Sequence, residues 1–229
     1  MLSRFLHNSK SLSSYNPIHS GCVIYAPLWA LNGVTFQTAD LNHLTGTVTG
    51  ATWGTKGRTF DGTDDILTLP NIATLNPLTS SWSVTVWFNS TKAARQHIVG
   101  KDSTDTYYLE LTSTNYYLAF RVGDSVGGTD SIIGSTGLND STWHCATGVR
   151  NETDGKLYLF MDGASHADAV AATNTTTTSI EPNQVLSIGS QVGAGNPFGG
   201  TIGDVAIHGK ALSLAEHTQF YNSTIWRYQ

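Results

Sequence analysis

The chain has 229 residues, a formal net charge of −5 and charged residues at only 13%. That length supports one sizeable core, and the glycine- and threonine-rich, charge-poor composition belongs to many short strands joined by turns, not to a helical protein. No Lys/Arg run or basic patch supplies a footprint for nucleic acid, and no apolar run approaches the length of a transmembrane helix.

Residues 1–20 are polar, serine-rich and aperiodic, and read as an arm or linker. The opening stretch MLSRFLHNSKSLSSYNP lacks the apolar h-region of a secretory signal. From Cys22 onward, apolar runs alternate with turn signals at the spacing of a β-sandwich. CVIYAPLWAL is one strand, followed by a long polar loop, then TVTGATWG. GRTFDGTDDILTLP holds two strand-like pieces around an Asp/Gly-rich turn. WSVTVWFNS alternates clearly, with Trp82, Val84, Val86 and Phe88 set against Ser83, Thr85, Trp87 and Asn89. HIVGKD, YYLELTST and YYLAFRVGD come next, and WHCATGVRN with GKLYLFMDGAS forms a hairpin turning at Asp154-Gly155. VLSIGS and GTIGDVAIHGK complete the strands. One short helix follows at ALSLAEHTQFYN, where Ser213 and Glu216 stand at capping-box spacing.

Two cysteines, Cys22 and Cys145, lie in apolar strand-like stretches. They read as buried thiols, with a single disulfide as the alternative. No Cys-x-x-Cys or His pair at ligand spacing accompanies them.

The order of these segments resembles the laminin-G-like / concanavalin A-like lectin–glucanase superfamily over residues 21–221. GCVIYAPLW is similar to its opening strand, and GATWGTKGRTFDGTDDILTLP to its most recognisable stretch. SWSVTVWF is similar to its aromatic central strand, and FGGTIGDVAIHGKALSLAEH to its end. The resemblance implies an all-β, two-sheet antiparallel jelly-roll sandwich over residues 21–229, with one short C-terminal helix. The family is functionally broad, so the fold leaves the function open.

The turn Asp61-Gly62-Thr63-Asp64-Asp65 packs three carboxylates into five residues, which repel unless neutralised. A hard cation such as Ca²⁺ is a natural partner. The resemblance implies a structural Ca²⁺ at the sandwich rim, held by a backbone carbonyl near Pro27, by Asp64 or its neighbour, and by Asp204. The alternative is that Asp61 and Asp65 bind the N–H groups of their own turn.

Glucanases of the superfamily place catalytic carboxylates two apart on one strand face, and no such pattern occurs here. The one glutamate within a clear strand is Glu110, flanked two residues away by Tyr108 and Thr112. His97, His144, His208 and His217 are scattered, and no Gly-x-Ser-x-Gly elbow is present. No catalytic residues are assigned, and the chain is read as a non-enzyme. Sugars bind through aromatic faces and directional hydrogen bonds. The pairs Tyr107-Tyr108 and Tyr116-Tyr117 lie on neighbouring strands, where alternation turns one of each outward. Tyr107, Tyr116 and Arg121 are therefore the candidate patch for a glycan or protein surface, ordinary cross-strand pairing being the alternative. The apolar tail Ile225–Tyr228 wants a covering surface, on this chain or a neighbour.

The expected function is a non-catalytic binding or structural module, most similar in style to domains that decorate viral or phage particles or attach them to a host. It would act on a virion or extracellular surface after cytoplasmic synthesis, with other virion proteins or copies of itself as further partners. The alternatives are a free carbohydrate-binding lectin and a divergent glycoside hydrolase.

Overall fold

Alternation of apolar and polar residues resolves into two antiparallel sheets in the computed structural model, which describes residues 20–102, 106–126, 128–166, 172–176, 178–193 and 195–229. Of the expected arm, residues 1–19 lie outside the described residues. The strands are β1 (Cys22–Pro27), β2 (Thr35–Gln37), β3 (Thr45–Thr49), β4 (Thr52–Gly54), β5 (Gly57–Asp61), β6 (Ile66–Leu69), β7 (Trp82–Ser90), β8 (Gln96–Asp102) and β9 (Thr106–Leu111). Then follow β10 (Tyr117–Gly123), β11 (Thr129–Gly137), β12 (His144–Asn151), β13 (Lys156–Met161), β14 (Ala164–Ser165), β15 (Ala172–Thr173), β16 (Leu186–Ile188) and β17 (Gly199–His208). Helix α1 (Leu214–Thr224) and a 3-10 turn at Ile225–Arg227 close the chain.

The nine-stranded sheet runs β14-β13-β12-β7-β17-β5-β4, with β1 added to β17 and β15 to β13. The eight-stranded sheet runs β11-β10-β9-β8-β16-β6-β3-β2. The expected jelly-roll sandwich with a short C-terminal helix is what the chain forms. Between the sheets lies one core, to which β7 contributes Val84, Val86 and Phe88, β9 Leu109 and Leu111, and β10 Phe120 and Val122. The β12–β13 hairpin turns at Asp154-Gly155 as expected: Gly155 takes a φ of +67°, and Asp154 Oδ1 accepts from the Lys156 N–H at 3.1 Å.

The second face of β7 is not solvated. Trp87, Cys145, Ala206, Phe220 and Tyr228 form a second apolar cluster beneath α1 and the tail. Trp87 stacks on Tyr228 with ring centroids 4.3 Å apart and on Tyr221 at 5.4 Å, and its Nε1 donates to Thr224 Oγ1 at 2.8 Å. The tail's covering surface is thus on its own chain, although Trp226 stays exposed. The capping box forms as read from the sequence, Ser213 and Glu216 each satisfying the other's backbone N–H. Ser213→Ala is expected to lower stability by about 1 kcal/mol in chemical denaturation, the usual worth of an N-cap.

Both cysteines are free thiols. Cys145 is fully buried, and the Cys22 thiol donates to the Ile24 carbonyl at 3.1 Å.

Candidate functional site

The outer face of the eight-stranded sheet carries an open cleft of about 350 Å³. Its floor follows from strand phase. On β9, Tyr107, Leu109 and Leu111 enter the core, which turns Tyr108 and Glu110 to the other face. On β10, Leu118, Phe120 and Val122 enter the core, which turns Ala119 and Arg121 outward. Antiparallel pairing sets Tyr108 opposite Arg121 and Glu110 opposite Ala119. Arg95 enters from the residue before β8, and Thr112, Ser113 and Thr129 complete the lining.

Glu110 is the centre of this arrangement. It is 1% exposed, so its carboxylate depends on the charges it meets. Arg95 Nε donates to Oε2 at 2.6 Å and Arg121 Nε to Oε1 at 2.5 Å. The small Ala119 side chain opposite leaves room for the two guanidinium groups to converge. Because both arginines are partly exposed, solvent screens the pairs, and their main effect is to fix two long side chains in place. Arg95 Nη2 also donates to Tyr108 Oη at 3.2 Å. Burial, and then the nearby Glu110 and Asp102 carboxylates, raise the Tyr108 hydroxyl, so it keeps its proton at neutral pH.

Arg121 stands where the sequence placed it, but the two tyrosines chosen with it do not. Tyr107 is fully buried, donates its hydroxyl to the Leu75 carbonyl at 2.9 Å and packs edge-on against Trp82. Alternation was the right rule with the wrong phase: Tyr107 shares its face with Leu109 and Leu111, and Tyr108 is the residue on the cleft. Tyr116 lies in the β9–β10 turn, at a φ of +56°, and packs partly on the core. The sequence reading missed Arg95 and Tyr108, and weighed Glu110 only as a catalytic acid. The polar phase Tyr108-Glu110-Thr112 was the available signal.

Nor does the predicted rim metal site assemble. Pro27 does pair with Asp204. Yet Asp204 Oδ1 already accepts from Tyr25 Oη at 2.9 Å and Trp29 Nε1 at 3.0 Å, and Oδ2 from Arg227 Nη1 and Tyr228 Oη, each at 2.9 Å. Asp204 is thus a fully buried carboxylate whose four donors, one of them a cation, all come from the protein. Asp61 pairs with Gly199, five positions before Asp204 on β17, a separation of roughly 16 Å at the rise of a strand. Asp61, Asp64 and Asp65 do bring one carboxylate oxygen each to within 4.8 Å of one another. There Asp61 accepts from Thr63 N at 2.7 Å and Asp65 from Asp61 N at 2.8 Å, which is the turn-bonding alternative. Lys92 Nζ, bound to the Gly62 carbonyl at 2.7 Å, adds a cation beside the turn.

His144 is held between carboxylates, Nδ1 to Asp162 at 2.8 Å and Nε2 to Asp140 at 3.2 Å, away from the cleft. Two-carboxylate glycoside hydrolysis needs a second acid facing the first. Among the described residues Glu110 is the one carboxylate lining the cleft, and each of its oxygens accepts from an arginine.

Among solved structures the chain is similar to the binding domain of Paraclostridial mosquitocidal protein 1, with a TM-score of 0.71 and 13% identity over 90% of this chain and 53% of that one. It is equally similar to the receptor-binding domain of botulinum neurotoxin D, with a TM-score of 0.71 and 13% identity over 91% of this chain and 54% of that one. The serotype D ligand-binding domain solved with N-acetylneuraminic acid matches with a TM-score of 0.68 and 12% identity over 94% and 53%. The chain thus spans about half of each of these domains, and at such identities the likeness is one of fold. No curated protein sequence matches. A family model described as the concanavalin A-like lectin/glucanases superfamily matches residues 61–216, and the chain belongs to that superfamily.

Proposed function

We propose that the protein is a non-catalytic glycan-binding module and that the cleft on the eight-stranded sheet is its binding site. The observation that carries this reading is the Arg95–Glu110–Arg121 bracket, which fixes polar donors at a concave surface before any ligand arrives. Serine and threonine hydroxyls at the rim suit the hydroxyl-rich edge of a sugar. The similar toxin domains are binding domains, and one was solved with a sugar acid, which supports the same class of function. The setting we infer is the surface of a viral or phage particle, as the style of the sequence suggests. Capsid and tail genes beside the coding gene would bear that out, and polysaccharide-utilisation genes would argue against it.

A broad printed glycan array tests the reading. At least one glycan family is expected to bind, and Arg121→Ala is expected to weaken the strongest hit about tenfold or more, equivalent to about 1.4 kcal/mol. An array without hits from correctly folded protein would remove the reading.

A further inference from the structure

From the donor inventory of the cleft, we infer that its ligand is an acidic saccharide, a sugar carrying a carboxylate or sulfate, and that Arg95 and Arg121 grip the anionic group. This inference rests on the glycan-binding reading of the same cleft.

Charge points first. Among the described lining residues two guanidinium groups face one carboxylate, and Asp102, nearby but outside the lining, is bound to Thr106 and Gln191 instead of to either arginine. Each arginine is held to Glu110 through Nε. Among the described residues, both Nη groups of Arg121 and Nη1 of Arg95 have no protein acceptor. Arginine offers five N–H donors in a planar fork, so most of the donors here are uncommitted. A fork of this kind matches two oxygens of one planar or tetrahedral anion. Glu110 consumes the inner edge of each arginine and leaves the outer edge for the ligand.

Neutral sugars call on a different surface, an exposed aromatic face. Among the described residues Tyr108 is the one ring lining the cleft, and it is 7% exposed, too little for stacking. What it does offer is a hydrogen bond. Its oxygen accepts from Arg95 Nη2, so its own proton is left to donate. Ser113 and Thr129, both exposed, add hydroxyls at the mouth for the sugar ring.

The test is an array carrying neutral, carboxylate-bearing and sulfated glycans, probed with the wild-type chain, Arg121→Gln and Thr129→Trp. Thr129 begins the edge strand β11, is exposed and takes part in neither ion pair, so a tryptophan there is chosen to block the mouth with both pairs left in place. Calorimetry with lactose, 3′-sialyllactose and lactose 3′-sulfate gives matched comparisons. Hits are expected only among acidic glycans, lost in both variants, with the matched neutral sugar at least tenfold weaker. The family of the hits, carboxylate or sulfate, then assigns the anion. Neutral glycans that bind as tightly as their acidic counterparts, and are lost in Thr129→Trp, would overturn the acidic assignment and leave the cleft as a glycan site. No binding at all, or binding untouched by Thr129→Trp, would overturn both.

Discussion

Asp204→Ala is expected to lower folding stability by about 3–5 kcal/mol, the cost of removing one member of a buried, hydrogen-bonded ion pair. Asp204 is 0% exposed and its two oxygens tie four groups from three parts of the chain: Tyr25 on β1, Trp29 just after it, and Arg227 and Tyr228 in the tail. Its backbone N–H adds a fifth tie, donating to Tyr228 Oη at 2.8 Å. Without the carboxylate, three donors lose their acceptor and the Arg227 guanidinium, 17% exposed and packed between Trp29 and Trp226, loses its counter-charge. Urea unfolding followed by tryptophan fluorescence measures this. A loss below about 1 kcal/mol would mean that the tail is not fastened through Asp204.

The second large effect is acid lability below pH 6.5. Burial, chiefly, holds the His97 and His217 imidazoles down to about 4. Geometry agrees for His217: the Gly163 N–H donates to its Nε2 at 3.1 Å, which requires that nitrogen to be unprotonated, and Nδ1 lies 2.9 Å from Thr147 Oγ1. Between the unfolded value of about 6.5 and the folded value, the unfolded chain binds more protons. Their contribution is therefore complete above pH 6.5 and is lost as pH falls toward 4, at about 3 kcal/mol for each histidine. His144 works in the other direction. Burial alone would depress it, but Asp162 and Asp140 outweigh burial and raise it. Its contribution is full below about pH 6.5 and is lost as pH climbs through the raised value. Urea midpoints are expected to peak near pH 6.5 and to fall most steeply on the acid side, with a shallower acid slope in His217→Gln. A flat profile between pH 6.5 and 4.5 would rule out the buried neutral imidazoles.

Fold and site differ in how far residues alone reveal them. The sandwich was legible because each long strand has a periodic signature, and because the Ser213/Glu216 cap needs only a spacing of three. The arrangement around the proposed metal residues is visible only in three dimensions. Asp204 is acidic and at the expected place on β17, but Arg227, twenty-three residues later, reaches it first. The cleft was half legible. Arg121 was found because it lies beside the tyrosine pairs on the same strand run. Tyr107 was chosen over Tyr108 because two adjacent tyrosines look alike until Leu109 and Leu111 are used to set the phase. Arg95 lies outside any strand, so no periodicity could flag it. Its partnership with Glu110 spans fifteen residues and exists only after β8 and β9 pair.

The two thiols carry one more implication. Cys145 sits fully buried beneath α1, and burial first, then the Asp162 and Asp204 charges, push its thiol well above its ordinary value. Burial and Asp40 push Cys22 up to about 12. A raised thiol keeps the thiolate, on which oxidation and exchange depend, scarce at neutral pH. Cohesion rests on the two apolar clusters and the Asp204 knot, with no covalent cross-link. The folded state therefore needs no particular redox environment, since no bond in it forms or breaks with the thiol–disulfide balance around it.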